Sequence, residues 1–343
     1  MTATTTPLST TSRSRSNASS AVRWVKRNRR AMSALVILIV MLTIFTIINP
    51  RVFTNPITYR SIFISLPISL FVVVPMVFIV ASGEIDLSFP ATAGITSWVF
   101  AAAVRDGWDP FAALVPTLIL GVVVGVFVGT LVTYIGLSSL VATLGMNFLM
   151  RGIINMGTEG VAIQFPQMRE TLMWQVLAGR IEDFPWMRGF PIHMIWGILF
   201  VLLGWILFNR HKFGTQVQIV GDNPDSATEM GINVKRVKIR AYVFMGIGAA
   251  CAGVLSVLIN QNWWPTTGDG LLLPTLAAVF VGGTPTWGGI GTVVGSALGA
   301  GIISSIETGI IAAGLTGYVT QFFNGLVIIV SLIGHRFNGP RYR

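Results

Sequence analysis

Few residues in this chain have the types and spacing that covalent chemistry needs. The three histidines are dispersed, and the single cysteine, Cys251, lies inside an apolar run, so the sequence predicts neither a disulfide nor a metal-ligand cluster. The GxxxxGKS/T pattern of a phosphate-binding loop is absent, so ATP hydrolysis by that chemistry is not expected on this chain. We therefore predict no catalytic residue, no metal and no cofactor here.

Polar residues inside otherwise apolar runs are the remaining candidates for a functional role. A carboxylate or amide is costly in apolar surroundings, and one kept there often lines a functional cavity. Asn147 either lines such a cavity or hydrogen-bonds a neighbouring helix. Glu307 either forms a gate at the end of a polar path or pairs with Arg151. The candidate residues for a polar path are Glu84, Asp86, Asn147, Glu307, Thr308 and Gln321.

The elements that must position these residues are long and apolar. The chain has 343 residues, of which 53% are hydrophobic and only 10% charged, whereas a soluble domain carries roughly 25% charged residues. Most of the surface is therefore expected to face lipid, and a helix needs about 20 apolar residues to cross the membrane. We predict an all-α polytopic membrane protein with about ten transmembrane helices. The apolar runs are Ala31–Asn49, Ser61–Ala81, Pro90–Val104, Phe111–Ile135, Ser138–Asn155, Pro191–Phe208, Ile239–Ile259, Leu271–Gly283, Gly291–Ala313 and Gly317–Gly334.

The basic residues are unevenly distributed along the chain. Of the 23 Lys and Arg, sixteen lie in the first thirty residues, between Arg210 and Arg240, or after Gly334. Ten spans with a cytoplasmic N-terminus place these three regions on one side, as the positive-inside rule requires. The net charge of +10 therefore needs no nucleic-acid partner. The predicted organisation is a disordered basic cytoplasmic tail at 1–30, a single membrane domain at 31–334 with a cytoplasmic loop at 209–238, and a short cytoplasmic tail at 335–343.

Two segments on the expected outer side are rich in polar and aromatic residues. Gln261, Asn262, Trp263 and Trp264 form a cluster at the predicted outer mouth. Paired Trp is typical of the belt at a membrane interface, and the alternative is a role in receiving a ligand from outside. The segment 156–190 either anchors at the headgroup level or docks an external partner.

Two Gly-containing breaks, about 200 residues apart, resemble each other. "VASGEIDLSFPATAG" (Val80–Gly94) and "VGGTPTWGGIGTVVG" (Val281–Gly295) each follow an apolar run and precede a helix rich in small residues. Interrupted spans in two halves of a chain are typical of a transport path, although close helix packing alone explains small residues. In the first break, Glu84 and Asp86 could accept from backbone N–H groups, with Ser88 capping the next span.

The polar stretch "GDNPDSATEMGINVKRVKIR", from Gly221 to Arg240, predicts a short helix between two apolar spans. Asn223 is a strong N-cap type, Pro224 suits the first helical position, and Gly231 is a natural stop. A helix of about two turns does not persist alone in water, so we expect it to pack on its own domain or in a partner's groove. A lipid-facing basic turn is the alternative, but it does not explain the capped helix. The expected docking residues are Asn223, Pro224, Asp225, Ala227, Glu229, Met230 and Gly231.

Four blocks, in order, resemble permease subunits of ribose-type monosaccharide ABC importers in the branched-chain-amino-acid/ribose permease superfamily. They are "SGEIDLS" (Ser82–Ser88), "VATLGMNFLMRGI" (Val141–Ile153), "GDNPDSATEMGINVKRVKI" (Gly221–Ile239) and "AAVFVGGTPTWGGIGTVVGSALGA" (Ala277–Ala300).

The resemblance implies a vitamin-B12-permease-like (type II) fold in the bacterial inner membrane, with both termini cytoplasmic. It also implies a second permease copy or sister subunit, a periplasmic sugar-binding protein, and separate ATPase subunits that hold ATP and Mg. The short helix would insert into a groove on the ATPase.

Departures from that family's pattern leave the substrate open. Glu84 stands where the signature has Gly, and Phe89-Pro90 stands where Val-Gly is usual. Glu84 either faces a polyol's hydroxyls and alters ligand preference, or accepts from the broken helix. The expected solute is a monosaccharide or sugar-like polyol. The alternatives are a permease for a nucleoside or branched-chain amino acid and, in a different class, a proton-coupled secondary carrier that uses Glu84 or Asp86.

Overall fold

The computed structural model describes residues 29–182 and 189–338, so the predicted tails at 1–30 and 335–343 lie mostly outside the described part. Ten helices within this part overlap the ten apolar runs. They are α1 (Arg29–Ile48), α3 (Pro56–Ala81), α4 (Phe89–Arg105), α5 (Pro110–Thr133), α6 (Ser139–Thr158), α8 (Ile192–Asn209), α11 (Val234–Asn260), α12 (Leu272–Val281), α13 (Val293–Ala312) and α14 (Gly317–Asn338).

Seven of these helices, among the described residues, are long and apolar enough to cross a membrane: α1, α3, α5, α8, α11, α13 and α14. The helices α4, α6 and α12 are shorter or less apolar. Large apolar side chains remain exposed along α1, α5, α6, α8 and α14. Such a surface is favourable against lipid and costly against water. The prediction of a polytopic helical membrane protein is confirmed at this level.

Within the described ranges, shorter elements connect the long helices. They are the helices α2 (Pro50–Phe53), α7 (Leu172–Leu177), α9 (Lys212–Asp222) and α10 (Pro224–Glu229), the 3₁₀ turns Met168–Glu170 and Asp269–Leu271, and four two-residue strands. Strand β1 (Ile163–Gln164) pairs antiparallel with β4 (Asn262–Trp263), and β2 (Arg180–Ile181) pairs with β3 (Phe190–Pro191). The β1–β4 pair ties the segment after α6 to the loop after α11.

The helix α11 lies at the centre and packs against α3, α4 and α5. It approaches α5 closely because glycines face each other across the contact. A Cβ built at Gly121 would lie 2.6 Å from the carbonyl oxygen of Gly246, and the backbone of Tyr242 crowds Gly125 in the same way. Small residues permit this close backbone approach in membrane helices.

The two sequence breaks meet at the C-terminal end of α9. The backbone N–H of Gly289 donates to the carbonyl of Ala81 at 2.9 Å. Gly221 lies between them, and any side chain there would overlap the Ala81 carbonyl. Gly288, at φ 84°, lies against the Gly221 carbonyl. We call residues 82–88, Gly221 and 282–292 the glycine junction; it brings the two resembling breaks into contact beside α10.

Candidate functional site

The short helix α10 is capped as the sequence predicts. The Asn223 side-chain oxygen accepts from the backbone N–H groups of Asp225 at 3.0 Å and Ser226 at 3.1 Å. At the other end Gly231 has a left-handed φ of 76°, and the Ile232 N–H donates back to the Ala227 carbonyl at 2.9 Å. These bonds satisfy backbone groups that a short helix leaves free.

Only Ala227 of the predicted docking residues points into the domain. It is fully buried and belongs to the main apolar core. The other six predicted docking residues are exposed, with 65% of Met230 accessible. The prediction that Ala227 contacts a partner is therefore corrected, because its methyl group anchors the helix. The remaining surface of α10 is free to bind another molecule.

Glu84 forms an ion pair with Lys238, four residues into α11. Both side chains are largely buried, with 13% of Glu84 and 16% of Lys238 exposed. In this structure Glu84, which lies within the glycine junction, is therefore engaged by a protein cation. Sequence reasoning missed this role for Lys238 and counted it only as part of a basic cluster, since no local pattern links residues 154 apart.

Asp86 is buried and holds the backbone at the first break. One carboxylate oxygen accepts from the Ser88 N–H at 2.7 Å and from the Ser88 hydroxyl at 2.6 Å. These are contacts of the predicted capping alternative. The capping role given to Ser88 is wrong, because its hydroxyl donates to Asp86 and makes no cap bond to α4. Thr143 of α6 supports the break by accepting from the Leu87 N–H at 3.0 Å, a contact that sequence reasoning missed.

Arg151 joins α6 to the start of α4 and to the loop before α12. Its guanidinium donates to the carbonyls of Pro265 at 2.7 Å, Thr267 at 2.9 Å and Pro90 at 3.1 Å. It also pairs with Asp269 at 2.5 Å. The predicted Glu307–Arg151 pair is therefore wrong, because Asp269 and three carbonyls occupy the guanidinium.

Asn147 lies one turn before Arg151 on α6 and is half-buried. Within the part of the chain that the structure describes, its side-chain oxygen has no hydrogen-bond partner. The structure therefore shows no contact to a neighbouring helix through this oxygen, and both sequence interpretations of Asn147 stay open.

The predicted outer mouth is divided between buried and exposed residues. Trp263 is fully buried, and its indole N–H donates to the Gly94 carbonyl and the Ser97 hydroxyl, both at 3.1 Å. The prediction that Trp263 lies in an interfacial belt or receives a ligand is therefore corrected. Asn262 is half-buried in β4, Gln261 ends α11 in a left-handed conformation, and Trp264 is half-exposed.

Glu307 and Thr308 line an open cavity at the start of α3. Its volume is about 470 Å³. Glu307 also accepts from the Asn324 amide at 3.2 Å. Gln321 is exposed on α14 and does not line this cavity. The predicted path residues thus fall into four places: the glycine junction, α6, this cavity, and the exposed face of α14.

No metal site emerges from the described residues, since they contain no group of three His, Cys, Asp or Glu side chains placed to hold an ion.

Comparison with known protein families decides which class of protein this is. Residues 58–332 match the family described as branched-chain amino acid transport system / permease component. The chain belongs to this family.

Individual relatives of the permease cover most of its length. The autoinducer 2 import system permease protein LsrD of Klebsiella pneumoniae is 27% identical over 298 residues, which is 85% of this chain and 86% of that protein. LsrC of Photorhabdus laumondii is 28% identical over 311 residues, 89% of each chain. The inner membrane ABC transporter permease protein YjfF of Escherichia coli is 30% identical over 233 residues, 66% of this chain and 68% of its own.

These matches confirm the resemblance stated from the four sequence blocks. The permease is a multi-pass membrane protein and a transport component. The matched region contains the glycine junction, α10, Arg151 and most of the residues that line the cavity beside Glu307.

Proposed function

We propose that this permease is the transmembrane subunit of an ATP-binding-cassette importer in the bacterial inner membrane, and that its solute is a monosaccharide or sugar-like polyol. The family match supports the transport role, and a relative named as an inner membrane ABC transporter permease supports the class. Relatives named for autoinducer 2 import support uptake as the direction.

The observation that carries this proposal is the exposed, capped helix α10 beside the glycine junction. A separate ATPase that holds ATP and Mg docks on the free face of α10. Closure of the ATPase pair moves α10 as a rigid body. Because Gly221 lies two residues before Asn223 and touches both breaks, that movement reaches α3 and α13 together.

The partners follow from the same mechanism. Two permease copies, or this permease and a sister subunit, enclose the path, and a periplasmic binding protein delivers the solute. The cycle is driven only if these partners bind the inward-open and outward-open states with different affinity. We further propose that all ten helices cross the membrane in a vitamin-B12-permease-like fold, with the N-terminus and α10 on the cytoplasmic side. The shorter or less apolar helices α4, α6 and α12 support this because they pack among the seven apolar spans.

Two observations bear on the alternatives. The family description names branched-chain amino acids, so an amino-acid or nucleoside permease is the nearest alternative. The ribose-type blocks favour a polyol. So does the cavity beside Glu307, whose lining includes the hydroxyl residues Thr58, Ser61, Ser65 and Thr308. A proton-coupled carrier needs a carboxylate free to exchange protons. Glu84 is paired with Lys238 and Asp86 is bonded to Ser88, so neither favours that class.

The test is transport by the purified components. The permease is reconstituted in proteoliposomes with its ATPase and binding protein, and uptake of radiolabelled D-ribose, myo-inositol, L-leucine and uridine is measured. We expect uptake of a polyol that requires ATP and both partners, and none by the permease alone. Proton-driven uptake by the isolated chain would overturn the importer. Selective uptake of leucine or uridine would show that the solute is an amino acid or a nucleoside and not a polyol.

A further inference from the structure

The cavity beside Glu307 is a feature that the coupling mechanism does not use. Its volume of about 470 Å³ lies within the ~300–1,000 Å³ range of small-molecule sites. Ser61 is twenty residues from Ala81 along α3, which corresponds to about 30 Å in a helix. The cavity therefore lies at the opposite end of α3 from the glycine junction. Its polar lining consists of Arg51, Asn55, Thr58, Ser61, Ser65, Glu307 and Thr308; we call it the polar cavity.

One wall of the polar cavity is a row of hydroxyl groups on α3. Thr58, Ser61 and Ser65 follow the i, i+3, i+7 spacing that places side chains on one face of a helix. The Ser61 hydroxyl donates to the Ile57 carbonyl at 3.1 Å, and the Ser65 hydroxyl donates to the Ile62 carbonyl at 3.3 Å. Each hydroxyl oxygen then keeps lone pairs that can accept hydrogen bonds. This face of an otherwise apolar span offers acceptors to a ligand rich in O–H donors.

The opposite wall adds a carboxylate with a defined position. Glu307 of α13 accepts from Asn324 of α14, and Asn324 is only 3% exposed. A carboxylate has about four acceptor sites, so the single bond from Asn324 leaves capacity for further donors. Thr308 lies beside Glu307, and Arg51 and Asn55 add N–H donors at the cavity's edge. The Asn55 oxygen caps α3 by accepting from Ile57 at 3.0 Å, which leaves its NH₂ group for other partners.

A row of hydroxyls and a carboxylate gain nothing from lipid tails, since burying polar groups without partners costs free energy. The polar cavity therefore fits water or a polar solute. We propose that it is a solute-binding section of the transport path, in which Glu307 and the α3 hydroxyls accept hydrogen bonds from an uncharged polyhydroxylated solute. This inference rests on the proposed function and assigns the solute a place in the molecule.

The first experiment asks whether the polar cavity is wet, and it does not depend on ATP. In the complete transporter carrying Cys251→Ser, single variants Ser61→Cys and Ser65→Cys are treated with a charged, impermeant thiol reagent. The matched control is Thr43→Cys, because Thr43 is an exposed hydroxyl residue on α1 among exposed apolar side chains. Only a hydrated thiol ionises to the reactive thiolate, so the cavity positions should react at least about tenfold faster. Reaction as slow as that of Thr43→Cys at both positions would overturn the proposal.

The second experiment asks whether Glu307 contacts the solute. Glu307→Gln keeps the side chain's shape and its place beside Asn324 but removes the charge that strengthens an accepted hydrogen bond. We expect the half-saturation concentration for ATP-driven uptake of D-ribose or myo-inositol to rise about tenfold, with the unfolding midpoint unchanged. The control Asp106→Asn, an exposed acid outside the cavity, should leave uptake at the wild-type level. An unchanged half-saturation concentration for Glu307→Gln would remove Glu307 from the site.

The two hypotheses fail in different ways. Wild-type uptake with unreactive thiols would overturn the solute site and keep the importer. The labelling is also repeated with D-ribose or myo-inositol present. If the thiols react, neither compound slows the reaction, and the transporter takes up leucine, then a polyol is the wrong solute for both the importer and the polar cavity. Protection by the polyol that the wild-type complex transports supports the site directly.

Discussion

Glu84 and Lys238 are 154 residues apart in the sequence and meet as an ion pair at the edge of the glycine junction. Arg151 similarly reaches 116 residues along the chain to the Thr267 carbonyl. At the residue scale, this permease therefore uses a few largely buried charges to join segments that the sequence separates. A charge in such a place is costly when alone and is stabilised by its partner.

We expect Glu84→Gln to lower the stability of the transporter and its uptake of every solute, without changing its preference among solutes. The substitution leaves the Lys238 ammonium largely buried and unpaired, at a cost of about 2–4 kcal/mol. Uptake of every solute in a panel should fall by a similar factor, and the unfolding midpoint in detergent should fall as well. The charge swap Glu84→Lys with Lys238→Glu should recover both. A changed order of solutes at an unchanged midpoint would instead return Glu84 to the solute path.

Arg151→Lys should destabilise the contact between α6 and the loop before α12. A lysine ammonium is a compact charge that cannot reproduce the guanidinium's fork toward three carbonyls, and losing buried hydrogen bonds should cost about 2–3 kcal/mol. The measurement is the unfolding midpoint. The control is Arg105→Lys, whose pair with Asp106 is 59% and 60% exposed and should contribute less than about 1 kcal/mol. Equal midpoints for the two variants would contradict the role given to Arg151.

At the scale of elements, α10 and the glycine junction form one mechanical unit. The helix has six residues, so its structure depends on its caps and on packing at Ala227. Its neighbour α9 ends at Asp222, directly after the glycine that touches both breaks. We therefore expect a displacement of α10 to shift Gly221, which contacts the ends of both breaks, and thereby to move α3 and α13.

Two substitutions on α10 should separate docking from folding. Met230→Asp places a charge on the exposed surface, so we expect a normal unfolding midpoint but a loss of most ATP-dependent uptake and of ATPase binding. Ala227→Leu overfills a fully buried site and should cost about 1–3 kcal/mol of stability. ATPase co-purification and the unfolding midpoint are measured for both. Wild-type uptake by Met230→Asp would exclude α10 as the docking element.

At the scale of the whole molecule, α10 and the polar cavity lie at opposite ends of the long helix α3. The positive-inside bias predicts that α10, followed by Lys235, Arg236 and Lys238, lies on the cytoplasmic side. In that orientation the polar cavity would open toward the outer side, where the proposed binding protein would deliver solute. The proposed ATPase-docking site and the proposed solute site would then be separated by most of the membrane's thickness.

The orientation can be tested by labelling from outside intact cells. In a Cys251→Ser background, Asp106→Cys should react with an impermeant maleimide, because Asp106 follows α4 at the expected outer end. Glu229→Cys, exposed on α10, should react only after the membrane is permeabilised. The reverse pattern would place α10 outside and would exclude the docking of a cytoplasmic ATPase.

The helices and the caps of α10 could be predicted from sequence because they depend on neighbouring residues. Ten apolar runs predict helices that agree with the structure, since lipid selects long apolar segments and each helix satisfies its own backbone. The Asn223 cap and the Gly231 stop are equally local. The helix α9 was missed, although buried Val217 and Val220 at helical spacing could have indicated it. The four ordered blocks also sufficed to identify the family.

The tertiary structure alone decided how these elements use their polar groups. It paired Glu84 with Lys238 and Arg151 with Asp269, and it buried Trp263 and Ala227. It also placed Glu307 beside Asn324 instead of Arg151. The physical reason is that a segment's average apolarity decides whether it can lie in lipid. Which polar side chains pair depends instead on how the helices pack, on their rotation about their axes and on the depth of each residue in the membrane. These are properties of contacts between residues more than a hundred positions apart, which no local pattern encodes.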